Sequence, residues 1–588
     1  MTETIHWDHT VDAVVVGSGN GGLTAAVVAS DGGTDVLVIE KSGKLGGTSA
    51  SSGGGVWIPN NRYANAAGAD DSLAEANAYL RHVSPVDDVR PDMLETYLVH
   101  GPRMIDYLHE NTRWVRYQTL EHYPDYFPEA PGWKSGHRSM EPQPVHGSEL
   151  GADFSHLQEQ HLQTRMPGGI NFTQVEAQLI LAALPGWLKL ATGLILRYLT
   201  DFPLRLKTRR DGRLTLGSAG VARLWLALKD RGVPVWRNTR MIDLVVEDGV
   251  VRGVIAERDG KRVAIRARRG VVLAAGGFER NQALRERYLP VPTKAEWSAG
   301  NLHNTGDALV AAQKAGAGVA QMDWAWWFTT AVIPGREKAH LSQVEKGLPG
   351  SITVDQRGKR FSNESQNYVT FVREMLDAQA QGKPCVPCYM IFDADFRRQR
   401  PLVAALIQSR FFPDWLVPKS WWSPTFITKA DSIRALAEKI GIDEDNLEAT
   451  VERFNGFAET GEDLDFQRGR SEYDRYYADA QVKPNPCLGP IRKPPFYCMT
   501  LYPGDMGTAG GLLIDANARV QAHSGVPIEG LYACGNTTAA LLPNYPGPGS
   551  TLGPAMTFGY LAGRHLTGQS AVSEGIGAQD IGNTETGA

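Results

Sequence analysis

The sequence predicts an α/β protein in which one domain is interrupted by an inserted α+β domain. The first 40 residues alternate between apolar, β-branched runs and a helix-like segment, in the order strand, helix, strand. Residues 241–277 contain short β-branched runs separated by Asp-Gly pairs, which are typical of hairpins. Glycine clusters occur at 17–22, 46–55, 276–277 and 504–553 but not between about 327 and 490. In that interval aromatic, charged and helical segments mix, which indicates the inserted domain. The predicted boundaries are 1–326 and 491–570 for the first domain, 327–490 for the inserted domain, and 571–588 for a flexible tail.

The composition is that of a globular protein, since 42% of the 588 residues are hydrophobic and 21% are charged. Sixty Lys and Arg residues against 65 Asp and Glu residues give a net charge of −5, so no basic surface for nucleic acid is expected. Five cysteines cannot form a disulfide framework in so long a chain, and the odd number suits a reducing cytoplasm. The polar, acidic N-terminus is unlike a signal peptide. We therefore expect a cytoplasmic protein.

The glycine-rich turn after the first strand predicts a dinucleotide site. The run GSGNGG at 17–22 follows an apolar run at 11–16 and precedes the helix-like LTAAVVAS. In this GxGxxG pattern the first glycine permits the tight turn, the second lets a pyrophosphate approach, and the third lets helix pack on strand. The phosphates would lie at the helix N-terminus. Glu40, at the end of the second strand, is placed to accept a ribose hydroxyl.

Two further segments favour FAD over NAD. Residues 41–55, KSGKLGGTSASSGGG, supply glycine and hydroxyl groups soon after the ribose-binding acid, which suits the longer reach of a flavin dinucleotide. Residues 530–536, GLYACGN, have the pattern of a strand that delivers Gly-Asn to a cofactor. The interrupted domain is therefore predicted to be a Rossmann-like FAD-binding domain. No metal site is predicted, because the CxxC at 385–388 has no second pair.

The segment 155–213 contains a strongly apolar stretch, 174–199, followed by the basic DFPLRLKTRRDGR. Pro185, Gly186, Lys189 and Arg197 argue against a helix that spans a membrane. Two interpretations remain open: a packed helical hairpin, or a patch that lies on a membrane surface. In the second, Trp187, Leu188 and Phe202 would insert, and Arg205, Lys207, Arg209 and Arg210 would contact phosphates.

Several motifs resemble the fumarate reductase and succinate dehydrogenase flavoproteins: VVVGSGNGG with VIEKSGKLGGTSA, VVLAAGGFERN, NTGDA at 304–308, and IEGLYACGN. The resemblance implies an FAD domain interrupted by a catalytic cap domain, here 327–490. Many respiratory members attach FAD through a histidine in the serine-rich segment. Residues 48–55 contain no histidine, so the FAD is expected to be non-covalent. The arginine of the dicarboxylate reductases is also missing, since NYPGPG stands at 544–549.

Three stretches resemble the 3-ketosteroid Δ1-dehydrogenases more specifically. These are NYPGPGSTLGPAMTFGY at 544–560, YPDYF at 123–127 and NESQNY at 363–368. The resemblance covers nearly the whole chain except 155–213. It implies FAD-dependent 1,2-desaturation of 3-ketosteroids, with electrons passed to a quinone-like acceptor rather than to NAD.

The resemblance also implies the catalytic roles. The Tyr545 hydroxyl and the Gly549 backbone N–H would polarise the C3 carbonyl, Tyr368 would accept the C2 proton, and Tyr126 would stabilise its phenolate. Tyr123 lies in the same segment as Tyr126 and stays an alternative for that last role. The tryptophans at 324, 326 and 327 either line an apolar cleft or fill the domain junction. The residues predicted to bind FAD are Gly17, Gly19, Asn20, Gly21, Gly22, Glu40, Lys41, Gly46, Gly47, Thr48, Ser49, Ser52, Gly53, Gly54, Ala275, Gly276, Asn304, Asp307, Gly535, Asn536, Gly549, Thr551 and Leu552.

Three other functions stay open on the sequence. A related flavoprotein could desaturate C4–C5 of 5α-3-ketosteroids. A fumarate-reductase-like enzyme would instead reduce an ene-carboxylate, and a non-catalytic protein would bind flavin and sterol without turnover.

Overall fold

The computed structural model describes residues 5–84, 90–166, 168–181, 184–400, 402 and 408–570. The predicted tail at 571–588 lies outside the described residues. Within them, the largest sheet has eight strands. In chain order these are His9–Val16, Val36–Ile39, Val235–Trp236, Thr239–Glu247, Val250–Arg258, Lys261–Leu273, Arg519–Gln521 and Pro527–Ala533.

Parallel strands form the centre of this sheet. His9–Val16 lies between Val36–Ile39 and Lys261–Leu273, and it is parallel to both. Pro527–Ala533, from the far end of the chain, is parallel to Lys261–Leu273. Residues 13–16 and 36–39 are fully buried, as expected for strands that are covered on both faces. The α/β class is confirmed, and the carboxyl ends of these strands meet at one edge of the sheet, where such folds bind ligands.

The predicted hairpins at 241–277 are confirmed. Thr239–Glu247, Val250–Arg258 and Lys261–Leu273 are consecutive antiparallel neighbours. Both Asp-Gly turns have two residues with positive φ, at 51° and 77° for 248–249 and at 49° and 76° for 259–260. This conformation matches the twist of the flanking strands. The last strand of the meander and the buried strand expected at 270–275 form one continuous strand, Lys261–Leu273.

A second, antiparallel sheet has six strands among the described residues. Its long central strand, Phe496–Thr508, pairs with strands that lie on both sides of it. The sheet uses strands from both sides of the predicted boundaries at 327 and 490, and those boundaries stay predictions. The other five strands are Ala325–Ala331, His340–Leu341, Ser351–Val354, Cys388–Phe392 and Ile427–Ala430. Smaller sheets are formed by Val56–Trp57, Tyr117–Thr119 and Ser139–Pro142, and by the pairs Val145–His146 with Arg213–Leu214, Arg165–Met166 with Ile170–Asn171, and Val319–Ala320 with Gly511–Leu512.

The first helix of the chain, Asn20–Asp31, packs closely on the last described one, Leu552–Leu566. A Cβ on Gly559 would lie 2.2 Å from the Gly21 carbonyl oxygen, so glycine is what lets the two backbones touch. The other α-helices are Gly47–Ser51, Arg62–Ala66, Leu73–Val83, Pro91–Asn111, Gln174–Leu181, Trp187–Thr200, Phe202–Arg205, Leu216–Asp230, Gln282–Tyr288, Asp307–Lys314, Val344–Gly347, Tyr368–Ala380, Ala394–Gln399, Ile433–Ile440, Glu444–Thr460 and Glu472–Tyr476.

The apolar segment after residue 174 forms three helices, Gln174–Leu181, Trp187–Thr200 and Phe202–Arg205. The second buries Ala191 and Leu194 but leaves Leu188 62% exposed. Leu196 and Leu199 on the same helix are also exposed, as are Phe202 and Leu206 after it. Among the described residues, none of the helices combines the length and the apolar character needed to cross a membrane.

Candidate active site

A cavity of about 570 Å³ opens where the parallel strands end. Gly17, Glu40, Ala275 and Gly535, which follow four of the parallel strands, all line it. Every other residue that the sequence predicts to bind the cofactor lines the same cavity, although they come from opposite ends of the chain. Tyr126, Tyr368, Tyr545 and Gly549 line it as well.

The glycine turn at 17–22 leaves room for a phosphate group. Gly17 has φ of 105°, and a Cβ there would lie 2.3 Å from the Ala274 carbonyl oxygen, so other residues would be strained. The turn leads directly into the helix that begins at Asn20, whose first backbone N–H groups have no partner within the helix. This N-terminus favours anions, and it is suited to a pyrophosphate.

Acidic and basic groups surround the end of the cavity at which the sequence predicts the ribose. The Glu40 carboxylate accepts hydrogen bonds from the Ser18 hydroxyl at 2.6 Å and from the Ser42 backbone N–H at 2.8 Å. Lys41 pairs with Asp307 at 3.0 Å and thereby joins the second strand to the NTGDA stretch. Burial raises the pKa of Asp307, but hydrogen bonds from Arg240 and Lys41 outweigh burial and hold that pKa below its usual value.

Behind the middle of the cavity lies a buried carboxyl group that the sequence did not single out. Glu279 is fully buried, and its Oε1 accepts a hydrogen bond of 2.6 Å from the Asn304 amide. The same amide nitrogen lies 3.2 Å from the Thr48 hydroxyl. Burial, and then the nearby charge of Asp505, raise the pKa of Glu279 to about 7. Asp505 itself is neutralised by Arg285 at 2.6 Å.

Three tyrosines from distant segments meet at the other end of the cavity. The hydroxyl oxygens of Tyr126 and Tyr368 are 3.2 Å apart. The Tyr545 ring centroid lies 5.8 Å from that of Tyr126 and 5.4 Å from that of Tyr368. All three side chains are at most 6% exposed. A phenol cluster of this kind can hydrogen-bond a carbonyl oxygen and move a proton within an apolar pocket.

Tyr368 is the first residue of the helix Tyr368–Ala380, which Asn367 caps by accepting a hydrogen bond from the Thr370 N–H. Burial and then the neighbouring Tyr545 raise the pKa of the Tyr368 phenol well above 10, while the hydrogen bond with Tyr126 lowers it. The positive end of the helix dipole also favours a negative charge at this position. The helix start and Tyr126 therefore oppose the cost of burying a phenolate.

The turn that carries Tyr545 brings two hydrogen-bond donors together. Tyr545 has φ of 59°, which is uncommon for a residue with a side chain and typical of functional sites. Burial raises the pKa of the Tyr545 phenol, whereas the neighbouring Tyr368 and Thr551 side chains and the Gly549 backbone lower that pKa. Gly549 has φ of 104°, and a Cβ there would lie 2.4 Å from the Gly55 carbonyl carbon. The hydroxyl and the Gly549 backbone therefore lie close together beside Tyr368.

Tyr126, and not Tyr123, is the tyrosine of the YPDYF segment that contacts Tyr368. The Tyr123 hydroxyl pairs with that of Tyr477 at 2.5 Å instead. Tyr126 is held in place by its neighbour Asp125, which accepts hydrogen bonds of 2.7 Å from both Trp57 Nε1 and Arg138. Because burial outweighs these partners, the pKa of Asp125 is raised to about 6.

Sequence analysis did not identify the residues that line the outer part of the cavity, beyond the three tyrosines. The helix Gln174–Leu181 contributes Ala177 and Ile180 to its lining. No motif marks these positions, because they line the cavity only through the way the segment folds back. The further residues of this outer part are Gln163, Met166, Phe172, Leu341 and Val344. Of the three tryptophans at 324–327, Trp326 lines the cavity and donates a hydrogen bond to Asn536 at 3.1 Å.

The glycine turn, the helix N-terminus and the polar ribose end fit a flavin dinucleotide. The sequence matches the family described as "FAD binding domain" over residues 12–552, so the chain is a flavoprotein whose cofactor is FAD. It is 41% identical over 572 residues to the 3-oxosteroid 1-dehydrogenase of Mycobacterium tuberculosis, and the aligned region covers 95% of this chain and 98% of that protein. The chain therefore belongs to the 3-oxosteroid 1-dehydrogenase family, as its motifs predict.

A solved structure agrees with this assignment. The 3-ketosteroid Δ1-dehydrogenase of Sterolibacterium denitrificans, crystallised with 1,4-androstadiene-3,17-dione, has a TM-score of 0.91 and is 44% identical, with 95% of this chain and all of that chain covered. The 4-oxocyclohexanecarboxylate 2-dehydrogenase of Sinomonas cyclohexanicum is 37% identical over 577 residues, which covers 96% of this chain and 94% of that enzyme. Relatives of similar identity thus act on ring ketones of different sizes.

Proposed function

We propose that this chain desaturates the C1–C2 bond of 3-ketosteroids with FAD as the oxidant. The observation that carries the proposal is the meeting of Tyr126, Tyr368 and Tyr545 in the cavity that the predicted FAD-binding residues line. These tyrosines come from the three stretches that resemble the Δ1-dehydrogenases. Bound FAD would accept the hydride that leaves C1.

The residues of the chain would supply the remaining steps. The Tyr545 hydroxyl and the Gly549 N–H would donate hydrogen bonds to the C3 carbonyl oxygen, which makes the proton on C2 more acidic. Each donor of this kind typically contributes about 3–4 kcal/mol to the stability of the transition state. Tyr368 would accept the C2 proton, and Tyr126 would stabilise the phenolate through the hydrogen bond at 3.2 Å.

The outer part of the cavity favours a steroid over a one-ring keto acid. Met166, Phe172, Ile180, Leu341 and Val344 give it an apolar lining that suits the fused rings beyond ring A. A small carboxylate would instead require a cation in good geometry. The nearby Arg165 is already occupied by Glu159 and the Gln160 carbonyl oxygen.

Anaerobic titration of the purified holoenzyme with 4-androstene-3,17-dione tests this function. We expect the flavin absorbance to bleach and the steroid to become the 1,4-diene. Bleaching by 5α-androstane-3,17-dione with a 4-ene product would indicate C4–C5 desaturation, and bleaching by 4-oxocyclohexanecarboxylate alone would indicate a one-ring substrate. Reoxidation of the reduced flavin by fumarate would indicate an ene-carboxylate reductase. A flavin that no steroid bleaches, despite steroid binding, would indicate a non-catalytic protein.

We further infer that 327–490 is a substrate-binding domain inserted into the FAD domain, and that a quinone-like acceptor reoxidises the flavin.

The exposed apolar residues Leu188 and Phe202 support a peripheral membrane contact through 174–213. Co-sedimentation with liposomes of phosphatidylglycerol tests the contact. Leu188→Asp with Phe202→Asp should lose binding, whereas Leu464→Asp, at an equally exposed site elsewhere, should retain it. Equal binding of both variants would contradict the membrane contact.

A further inference from the structure

A second cavity, of about 280 Å³, adjoins the cofactor cavity. The two cavities share Trp326, Gly535, Asn536, Thr551 and Ala555 as lining residues. The wall between them is therefore one residue thick, and Gly535, Thr551 and Ala555 make part of it small. None of the proposed steps of steroid oxidation uses this second cavity.

The lining of the second cavity is mostly apolar. Met93, Leu512, Leu541 and Phe558 are all at most 9% exposed and contribute to it. Its polar side chains are Asn536 and Thr551 in the shared wall, together with Gln321, Thr538, Ser550 and Arg90, and the Arg90 side chain is 48% exposed. Arg90 donates hydrogen bonds to Gln521 at 3.0 Å and to Asp92.

The size limits what this cavity can hold. At about 280 Å³ it lies near the lower end of small-molecule sites, which span roughly 300–1,000 Å³. That volume suits a flat one- or two-ring molecule and is too small for a nicotinamide dinucleotide. A largely apolar lining that also carries several hydrogen-bonding side chains suits an apolar ring that bears carbonyl oxygens.

We propose that this second cavity binds the quinone that reoxidises the flavin, which places the electron acceptor in a site separate from the steroid. The inference rests on the proposed function. The reduced cofactor would release two electrons and one proton. The quinone would take up the two electrons and two protons, the second from water, and leave as the hydroquinone. Because the wall is one residue thick, the electrons cross a short distance and the steroid does not have to leave first.

The variant Ala539→Phe tests the site. Ala539 lines the second cavity and not the first, so the larger side chain should fill the quinone site and spare the steroid site. We expect reoxidation of the dithionite-reduced holoenzyme by subsaturating menadione to slow about tenfold or more, because the added ring would take up the space of a ring-sized ligand; tenfold corresponds to about 1.4 kcal/mol of lost binding. Calorimetric titration of the oxidised holoenzyme should show weaker menadione binding. The matched variant Ala539→Ser, and bleaching of either variant by 4-androstene-3,17-dione, should stay close to the parent protein.

A second measurement needs no variant. Estrone, whose aromatic ring A cannot accept a hydride, is added to saturate the steroid site of the parent holoenzyme before menadione is mixed in. A reoxidation rate that estrone leaves unchanged would support separate sites, whereas competitive inhibition by estrone would overturn the proposal. An Ala539→Phe protein that menadione reoxidises at the parent rate would also overturn it. Because dithionite reduces the flavin without steroid, a failure to bleach with steroid would overturn the proposed function alone.

Discussion

Removal of the Tyr545 hydroxyl should slow steroid oxidation without unfolding the protein. In Tyr545→Phe the aromatic ring, which is 5% exposed and packs on Tyr126 and Tyr368, stays in place. What is lost is the hydroxyl that we propose as a donor to the C3 carbonyl alongside the Gly549 N–H. The loss of one such donor typically costs about 3–4 kcal/mol, and we therefore expect flavin bleaching to slow by about 10²–10³-fold. Little water can replace the hydroxyl in so buried a site.

The assay is anaerobic stopped-flow mixing of the oxidised holoenzyme with 4-androstene-3,17-dione, followed at the flavin absorbance maximum. Tyr123→Phe is the matched control, since its hydroxyl pairs with Tyr477 and not with the cluster around Tyr545. Both variants should bind FAD and melt like the parent protein. A Tyr545→Phe protein whose bleaching slows by less than about tenfold would refute the role given to this hydroxyl, because a tenfold change corresponds to only about 1.4 kcal/mol.

Three further predictions follow from the same site. Because burial raises the pKa of Tyr368, the rate of flavin bleaching should rise with pH through the neutral and alkaline range. Tyr368→Phe should remove this pH dependence and lower the rate by about 10²–10⁴-fold. Glu279, whose pKa is raised from 4.5 to about 7, contributes stability below pH 4.5 that is lost as the pH rises through 7. Thermal or urea unfolding should therefore show Glu279→Gln gaining stability over the parent between pH 5 and 8, by up to about 3 kcal/mol, and equal pH slopes for the two proteins would argue against a buried, ionising Glu279. Gly17→Ala should lose FAD, measured as the flavin absorbance per protein, because its Cβ would lie 2.3 Å from a carbonyl oxygen; full FAD occupancy would contradict the tight turn.

The parts of the fold that local patterns specify were predictable from the sequence. The β-branched runs at 11–16 and 36–39 form parallel buried strands, and the two Asp-Gly pairs form the hairpin turns. The predicted cofactor residues line one cavity because glycine turns and strand ends carry the information about where a nucleotide approaches the backbone.

Other parts depend on contacts that no local pattern records. Glu279 lies in a motif, but only its three-dimensional surroundings make it a buried acid with a raised pKa. Ile180 lines the cavity because its helix folds back over the site, which hydrophobic periodicity cannot indicate. The same holds for Tyr126 and Tyr123: the fold places the Tyr126 hydroxyl 3.2 Å from that of Tyr368 and the Tyr123 hydroxyl beside Tyr477, so Tyr126 stays the proposed partner of the base. Their separation of three residues gave no basis for that choice.

The close packing of the first helix on Leu552–Leu566 has a consequence for biosynthesis. Gly17 and Leu552 are 535 residues apart, and at roughly 5–20 residues per second a ribosome needs about half a minute to two minutes between them. During that time the nascent chain has its phosphate turn but lacks the strand and helix that close the cofactor cavity. FAD can therefore be captured only when synthesis is nearly complete, and a chain stalled before residue 552 would be left as an apoprotein that is open to proteolysis.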